Sequence, residues 1–456
     1  MGSGPYCAMF RGRRPDFIAR ARSRVRCLFA SDSIMLSIMR NVVVASFLSA
    51  AALPLAADWP GFRGPSRQGI ASQPLPVQWT AKDIAWRAAI PGEGWSSPIV
   101  WKDRIFVTSA TENGASCRVV SLNRRTGKIL WDREVFRQEV KRKENKNSYA
   151  TPTPVTDGKA VYAVFGSGGF AALDFNGKTL WTNLDYPHYS QHGLGASPIL
   201  FEDLLIMPRD GSSETGDLKL GWQKPWDQSF LLALDKNTGK QRWKGKRGLS
   251  RIAHVSPNVA VVDGKPQIVS AAGDVVQGFD ARTGELVWTG RSQGEGVVPS
   301  IVVAPQMVFA ASGFEKPTIR AFRLGGGKGD ITATHLAWEQ SKGVPMISSM
   351  VFAPPRLYSV TTAGIVFAFD AAHGEVLWQG RIGGNHSASP ILAGDKIYFA
   401  SEEGEITVVE AGSEFKVLAR NQVDGRIQSS PAAVGGVLYV RTDKELLAIR
   451  GAGAKR

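Results

Sequence analysis

Cysteine, helical periodicity and long apolar runs are all scarce in this 456-residue chain, and each shortage excludes something. Two of the three cysteines, Cys7 and Cys27, fall in the first 57 residues, so Cys117 stands alone in everything that follows. That remainder can form no internal disulfide and no cysteine-rich zinc site. The one conspicuous apolar stretch, Val42–Leu55, is too short to span a bilayer as a helix. Long amphipathic helical patterns are missing. Short β-branched and aromatic runs bounded by Gly, Asp and Pro take their place, and 49 Gly with 25 Pro supply the turns. This is an all-β pattern.

The first 57 residues differ from the rest. Residues 11–26 are dense in arginine, and Arg40 then precedes the apolar Val42–Leu55, with Ala56 and Ala57 offering small residues for cleavage. This arrangement predicts a signal peptide over 35–57, with 1–34 an over-called upstream leader and 58–456 the mature domain. A twin-arginine signal at Arg13-Arg14 fits poorly, because charged residues follow it. No cysteine follows the apolar run, so a lipid anchor is not indicated and a soluble periplasmic or secreted protein is expected. Eight Arg and two Asp lie in 1–57, so the formal charge of +15 falls to +9 without them. The densest basic run, "RQEVKRKENK" at 137–146, is interleaved with Glu and reads as a solvated linker, not a nucleic-acid patch.

What the chain has in abundance is one phrase. "LNRRTGKILW" stands at 122–131, "LDKNTGKQRW" at 234–243, "FDARTGELVW" at 279–288 and "FDAAHGEVLW" at 369–378, with a shorter "LDFNGKTLW" at 173–181. Upstream of each comes a Ser-Pro or similar pair and an apolar strand: Ser97-Pro98, Thr153-Pro154, Ser197-Pro198, Ser256-Pro257, Val298-Pro299, Ser389-Pro390 and Ser430-Pro431, with Ser349-Met350 as a degenerate copy. Eight units of roughly 50 residues suit four-stranded propeller blades. Within the phrase the Asp side chain can accept backbone N–H groups two residues on, and Gly can take the left-handed conformation that closes the hairpin. Trp131, Trp181, Trp243, Trp288, Trp338 and Trp378 then project from the fourth strands to fill the space between blades, with Leu418 in that role in unit seven. The last unit ends after three strands, while Trp86 sits in an orphan strand before the first. The N-terminal strand therefore completes the C-terminal blade, leaving no open edge and predicting a monomeric ring.

The repeated Ser-Pro start with its "[LF]D-x-x-T-G-[KE]-x-x-W" turn resembles the PQQ-like repeat, the eight-bladed β-propeller of quinoprotein dehydrogenases and BamB-like proteins. The resemblance covers 80–451, and "DWPGFRGPSRQGIA" at 58–71 looks like the start of exported PQQ-repeat proteins. It implies the fold. Quinoprotein activity would need a PQQ sandwiched on a tryptophan and a Ca²⁺ held by Glu, Asn and Asp near a catalytic Asp. Glu93, Glu295 and Asn385 are scattered singles that do not assemble such a site in sequence, so no cofactor or metal is expected. His188 and His192 are four apart but lack a helical pattern to align them. No Ser-His-Asp order, nucleophile elbow or phosphate loop is present, and "LGGGKGD" at 324–330 reads as a lengthened hairpin loop in unit five.

The connections leading into each first strand should gather at one mouth of the channel. They carry Glu93, Trp95, Asn147, Tyr149, His192, Arg251, His254, Glu295, Asn385, His386, Arg426 and Gln428. The insertion at 209–230 adds Trp222, Trp226, Lys219 and Lys224 near the same mouth. These residues predict a platform for a partner protein or a small polar ligand. The alternatives are a PQQ- and Ca²⁺-dependent dehydrogenase and, from the exposed aromatics, a carbohydrate-binding protein.

Overall fold

Eight antiparallel sheets succeed one another along the chain, each stacked against the next, in a computed structural model that describes residues 58–451. The expected leader and signal segment, with Cys7 and Cys27, lie outside the described residues. Blade 1 runs Ile99–Trp101, Arg104–Thr111, Ser116–Asn123 and Ile129–Arg137, and six further blades repeat that order up to Val417–Gln422. Blade 8 takes three strands from Ala432–Val434, Val437–Arg441 and Glu445–Arg450, and its fourth from Ile84–Ala89, paired antiparallel to Glu445–Arg450. The ring closes as expected. First strands of neighbouring blades touch around the channel, including those of blades 8 and 1. Among the described residues no helix is long and apolar enough to cross a membrane.

The core lies between blades. Seven clusters of buried apolar side chains bridge adjacent sheets, and the one with the most residues spans blades 7, 8 and 1. No blade could bury both its faces alone. The repeated phrase is what joins them. In four turns the Asn or Asp oxygen (Asn123, Asp235, Asp280, Asp370) accepts the amides two and three residues on at 2.8–3.1 Å. Trp86, Trp131, Trp181, Trp338 and Trp378 each donate their indole N–H to a turn carbonyl of the following blade at 2.9–3.1 Å. The turn glycine has a second duty. At Gly127, Gly239, Gly284 and Gly374, where φ is positive, an added Cβ would stand 2.4–2.5 Å from the preceding blade's tryptophan ring. Only Gly permits both the turn and the stacking.

Three blades depart from the scheme. In blade 3 the Trp243 ring packs on Gly284, but its buried indole N–H has no partner among the described residues. Trp288 donates instead to Gln267 of its own blade at 2.7 Å, because Gly329–Asp330 lies parallel beside it as a fifth strand. The 324–330 loop is thus more than a lengthened turn. It carries a strand from unit five onto blade 4. In blade 7, Leu418 stands in for tryptophan and packs half-buried against the core.

Residues 58–71 cross the channel floor. Trp59, 1% exposed, exchanges both backbone hydrogen bonds with Val100, and Pro60 accepts from the Thr156 amide at 2.8 Å. Arg67 donates to the Leu200 carbonyl, Gln68 accepts from the Val303 amide and buried Arg63 donates to the Met350 carbonyl, at 2.6–2.9 Å. Ile70–Ala71 then pairs parallel to Ile391–Ala393. Those partners belong to blades 1, 2, 5, 6, 3 and 7, so one short segment laces six blades together and shuts one end of the channel.

Candidate functional site

A polar belt rings the channel above that floor. The Ser97 amide donates to the Thr153 hydroxyl at 2.9 Å, Thr153 to Ser197 at 3.0 Å and Ser197 to Ser256 at 2.9 Å. On the other side Ser300 donates to Ser349 at 3.0 Å, Ser349 to Ser389 at 3.0 Å and Ser389 to Ser430 at 2.8 Å. In six of the eight repeats the opening hydroxyl therefore anchors the blade before it. This corrects one alignment. The blade 5 counterpart of Ser-Pro is Ser300-Ile301, directly ahead of the strand Val302–Ala304, and not Val298-Pro299 two residues earlier.

All eight belt residues line a cavity of about 690 Å³ with Phe62 of the floor segment among its walls. Six of the twelve expected mouth residues line it: Trp95, Asn147, His192, His254, Glu295 and Gln428. The other six do not. Asn385 binds the Glu403 carboxylate through its backbone and side chain, at 2.7 Å for the amide group. His386 is buried with both ring nitrogens against the carbonyls of Ala400 and Gly383. Tyr149 donates to the Lys141 carbonyl at 2.7 Å, and Arg251 is held by Asp274 and Glu315 at 2.7–2.9 Å. Glu93 is exposed and engages Ala110 through its backbone, while Arg426 lies 5.0 Å over the Trp95 ring. Local bonding, not a shared ligand, accounts for most of these.

The cavity residues are in a different condition. His254 is 9% exposed, and neither ring nitrogen has a partner among the described residues. Both side-chain polar atoms of Gln428 and Oε2 of Glu295 are likewise buried without partners. Burial, with His192 nearby, pushes the His254 imidazole down to about 3, so it is neutral. Burial and the neighbouring Glu315 raise Glu295, with Arg251 opposing. His192 packs edge-on against Trp222 at 6.0 Å and beside His254 at the same distance. Trp222 thus packs on the cavity-lining His192 without lining the cup itself, whereas Trp226 is turned to its own loop and bonds Ser229 at 3.0 Å.

The run 137–146 is not merely a solvated linker. Gln138 is buried and ties the Gly114 carbonyl to the Ser167 amide, at 2.7 and 2.8 Å. Glu144 and Lys146 line the cup, and Lys146 pairs with Glu402 of blade 7 at 2.8 Å. Lys141 meets Glu214 of the 209–230 insertion at 2.7 Å, so the two longest excursions touch. Sequence reading missed Glu144, Lys146, Phe62, Phe314 and the hydroxyl belt. Only the belt had a signal, one Ser or Thr at the head of every repeat.

The cup does not match what a trianionic quinone with calcium requires. Its wall offers two carboxylates and one lysine that is already paired. Among the described residues no three His, Cys, Asp or Glu converge as a cation needs.

A closed ring of eight four-stranded blades, its channel floored by the chain's own N-terminal segment and lined by polar side chains, defines an eight-bladed β-propeller with a one-ended cup. The chain belongs to the family described as outer membrane protein assembly factor BamB, which matches residues 76–192 and 227–455. The unmatched stretch takes in most of the 209–230 insertion. BamB of Bordetella pertussis is 25% identical over 285 residues, 55% of this chain and 71% of that protein. Tetrathionate hydrolase of Acidithiobacillus ferrooxidans is 24% identical over 311 residues, 62% of this chain but only 53% of the relative. The chain thus spans about half the length of that relative. In solved structures the fold is shared with BamB from Moraxella catarrhalis (TM-score 0.55, 16% identity, covering 80% of this chain and 99% of that one). It is shared also with quinohemoprotein alcohol dehydrogenase from Comamonas testosteroni (TM-score 0.62, 11% identity, 88% and 81% covered).

Proposed function

We propose that this chain is an exported binding module that receives a partner protein or a small polar ligand in the cup. The observation that carries the reading is the set of buried, unpartnered polar atoms on His254 and Gln428 beside an open cavity. Leaving such groups unsatisfied costs about 1–3 kcal/mol each, and a bound ligand recovers it. The family description, an assembly factor, supports a partner, and the cup's size suits a small ligand. Thermal unfolding of the full chain tests it. A true ligand at a hundred times its Kd adds about 2.7 kcal/mol and raises the midpoint. No rise with any small ligand, together with no crosslink to a partner from a photoreactive residue at Phe314, would remove the proposal.

The rival reading is a quinoprotein dehydrogenase, favoured by a 30% identity over 167 residues to a polyvinylalcohol dehydrogenase of a Pseudomonas species, 35% of this chain and 24% of that protein. Because the cup's wall carries one lysine, already paired, and no converging set of cation ligands among the described residues, incubation with PQQ and Ca²⁺ should give no alcohol-dependent dye reduction. Turnover lost on mutating Glu295 would put the enzyme first. Export predicts a mature N-terminus near Asp58, and N-terminal sequencing of secreted material that began before Met35 would contradict it.

A further inference from the structure

We infer that the cup takes a neutral, polyhydroxylated ligand, the end of a saccharide, through donors set around its whole circumference. The inference rests on the binding reading above and narrows it to one chemistry. A hydroxyl has one proton and two lone pairs. In the belt, the oxygens of six blades accept a neighbour's amide, which fixes their orientation. Only Ser389 spends its proton within the belt, on Ser349 at 3.0 Å. The other seven protons have no acceptor among the described residues, and all eight residues line the cavity. An independent feature sits on the same wall. Neutral His254, with one nitrogen to donate and one to accept, and Gln428, with a free amide N–H₂ and carbonyl, both lack partners.

Three ligand chemistries can be weighed against that lining. An anion would satisfy the belt donors but would meet Glu144 and Glu295, with Lys146 the cation on the wall and already paired to Glu402. An extended peptide carries its polar groups in two opposed rows, which leaves donors between the rows unmet. A pyranose presents hydroxyls around its full rim, each both donor and acceptor, and a C–H face that packs on an aromatic ring. Phe62, Trp95 and Phe314 all border the cavity and supply such rings. Its volume of about 690 Å³ is of the size that takes a few sugar units.

The test is isothermal titration calorimetry on the full chain with three probe sets. These are neutral tetrasaccharides (cellotetraose, maltotetraose, xylotetraose, chitotetraose), anions (citrate, inositol hexakisphosphate) and a hexapeptide library. The expected result is saturable binding of at least one tetrasaccharide, unchanged by added salt because the ligand is uncharged. Gln428→Ala and the half-exposed Phe314→Ala should each weaken it at least tenfold, and Lys416→Ala on the outer rim should not. Binding of a peptide or anion, lost in Gln428→Ala, with no saccharide bound would overturn the saccharide inference and leave the binding module standing. Silence from all three sets, with a folded protein, would overturn the saccharide inference, and the further absence of any crosslink at Phe314 would overturn the binding module with it.

Discussion

Trp288 and Trp222 carry the same side chain under opposite demands. The first is 2% exposed and wedged between blades 4 and 5, while the second is half-buried on an inserted loop against His192. Trp288→Ala should cost about 3–5 kcal/mol, as large-to-small core changes do, and Trp222→Ala less than half of that. Urea denaturation of the two variants checks this, and equal losses would place Trp222 in the core. His254 makes a pH prediction. Its unfolded form takes a proton near 6.5 and its folded form only near 3, so between those values the unfolded state holds more protons. Its share of stability is complete above pH 6.5 and is lost as pH falls toward 3. His188, His192 and His386 are shifted the same way, chiefly by burial. Urea midpoints across that range should fall less steeply in His254→Asn. The turn aspartates and blade tryptophans were legible in the sequence because their partners are set by the repeat itself. The belt residues were visible as letters, but their bonds join residues 40 to 59 positions apart, and no local pattern states that geometry.

Among elements, the strand Ile84–Ala89 and the floor segment have unequal histories of legibility. The strand could be read because one blade lacked a strand and Trp86 was left over. The floor segment could not, since its bonds go singly to six blades and follow no period. The mouth was half legible for a related reason. Chain connectivity places a residue at the rim, but whether it faces the cavity depends on which local partner claims it, as Glu403 claims Asn385. Deleting 80–90 should expose an edge on blade 8, strip Trp86 from its stack on Gly127 and lower the thermal midpoint sharply. Removing the exposed loop tip 213–219 should lower it little. Similar midpoints would mean that the ring does not depend on its closing strand. The run 137–146 is a poor control for this purpose, because buried Gln138 bonds on both sides of it.

At the scale of the whole molecule, ring closure has a consequence in time. The strand Ile84–Ala89 that completes blade 8 is synthesised some 350 residues before its partner Glu445–Arg450. At the ordinary pace of synthesis that interval is roughly 20–70 s, during which residues 84–89 carry unspent ladder donors and acceptors and an unstacked tryptophan. For that period the nascent chain holds the sticky edge that the finished ring has abolished. A permutant that moves 58–90 behind Gly451, joined by a flexible linker, would make the closing strand the last to appear and pair it at once. It should give a higher soluble yield in a holdase-deficient host than the natural order does, with the same thermal midpoint once folded. An unchanged yield would mean that the waiting strand is sheltered by its own neighbours. A higher yield would mean that ring closure, which protects the folded protein, is what exposes it while it folds.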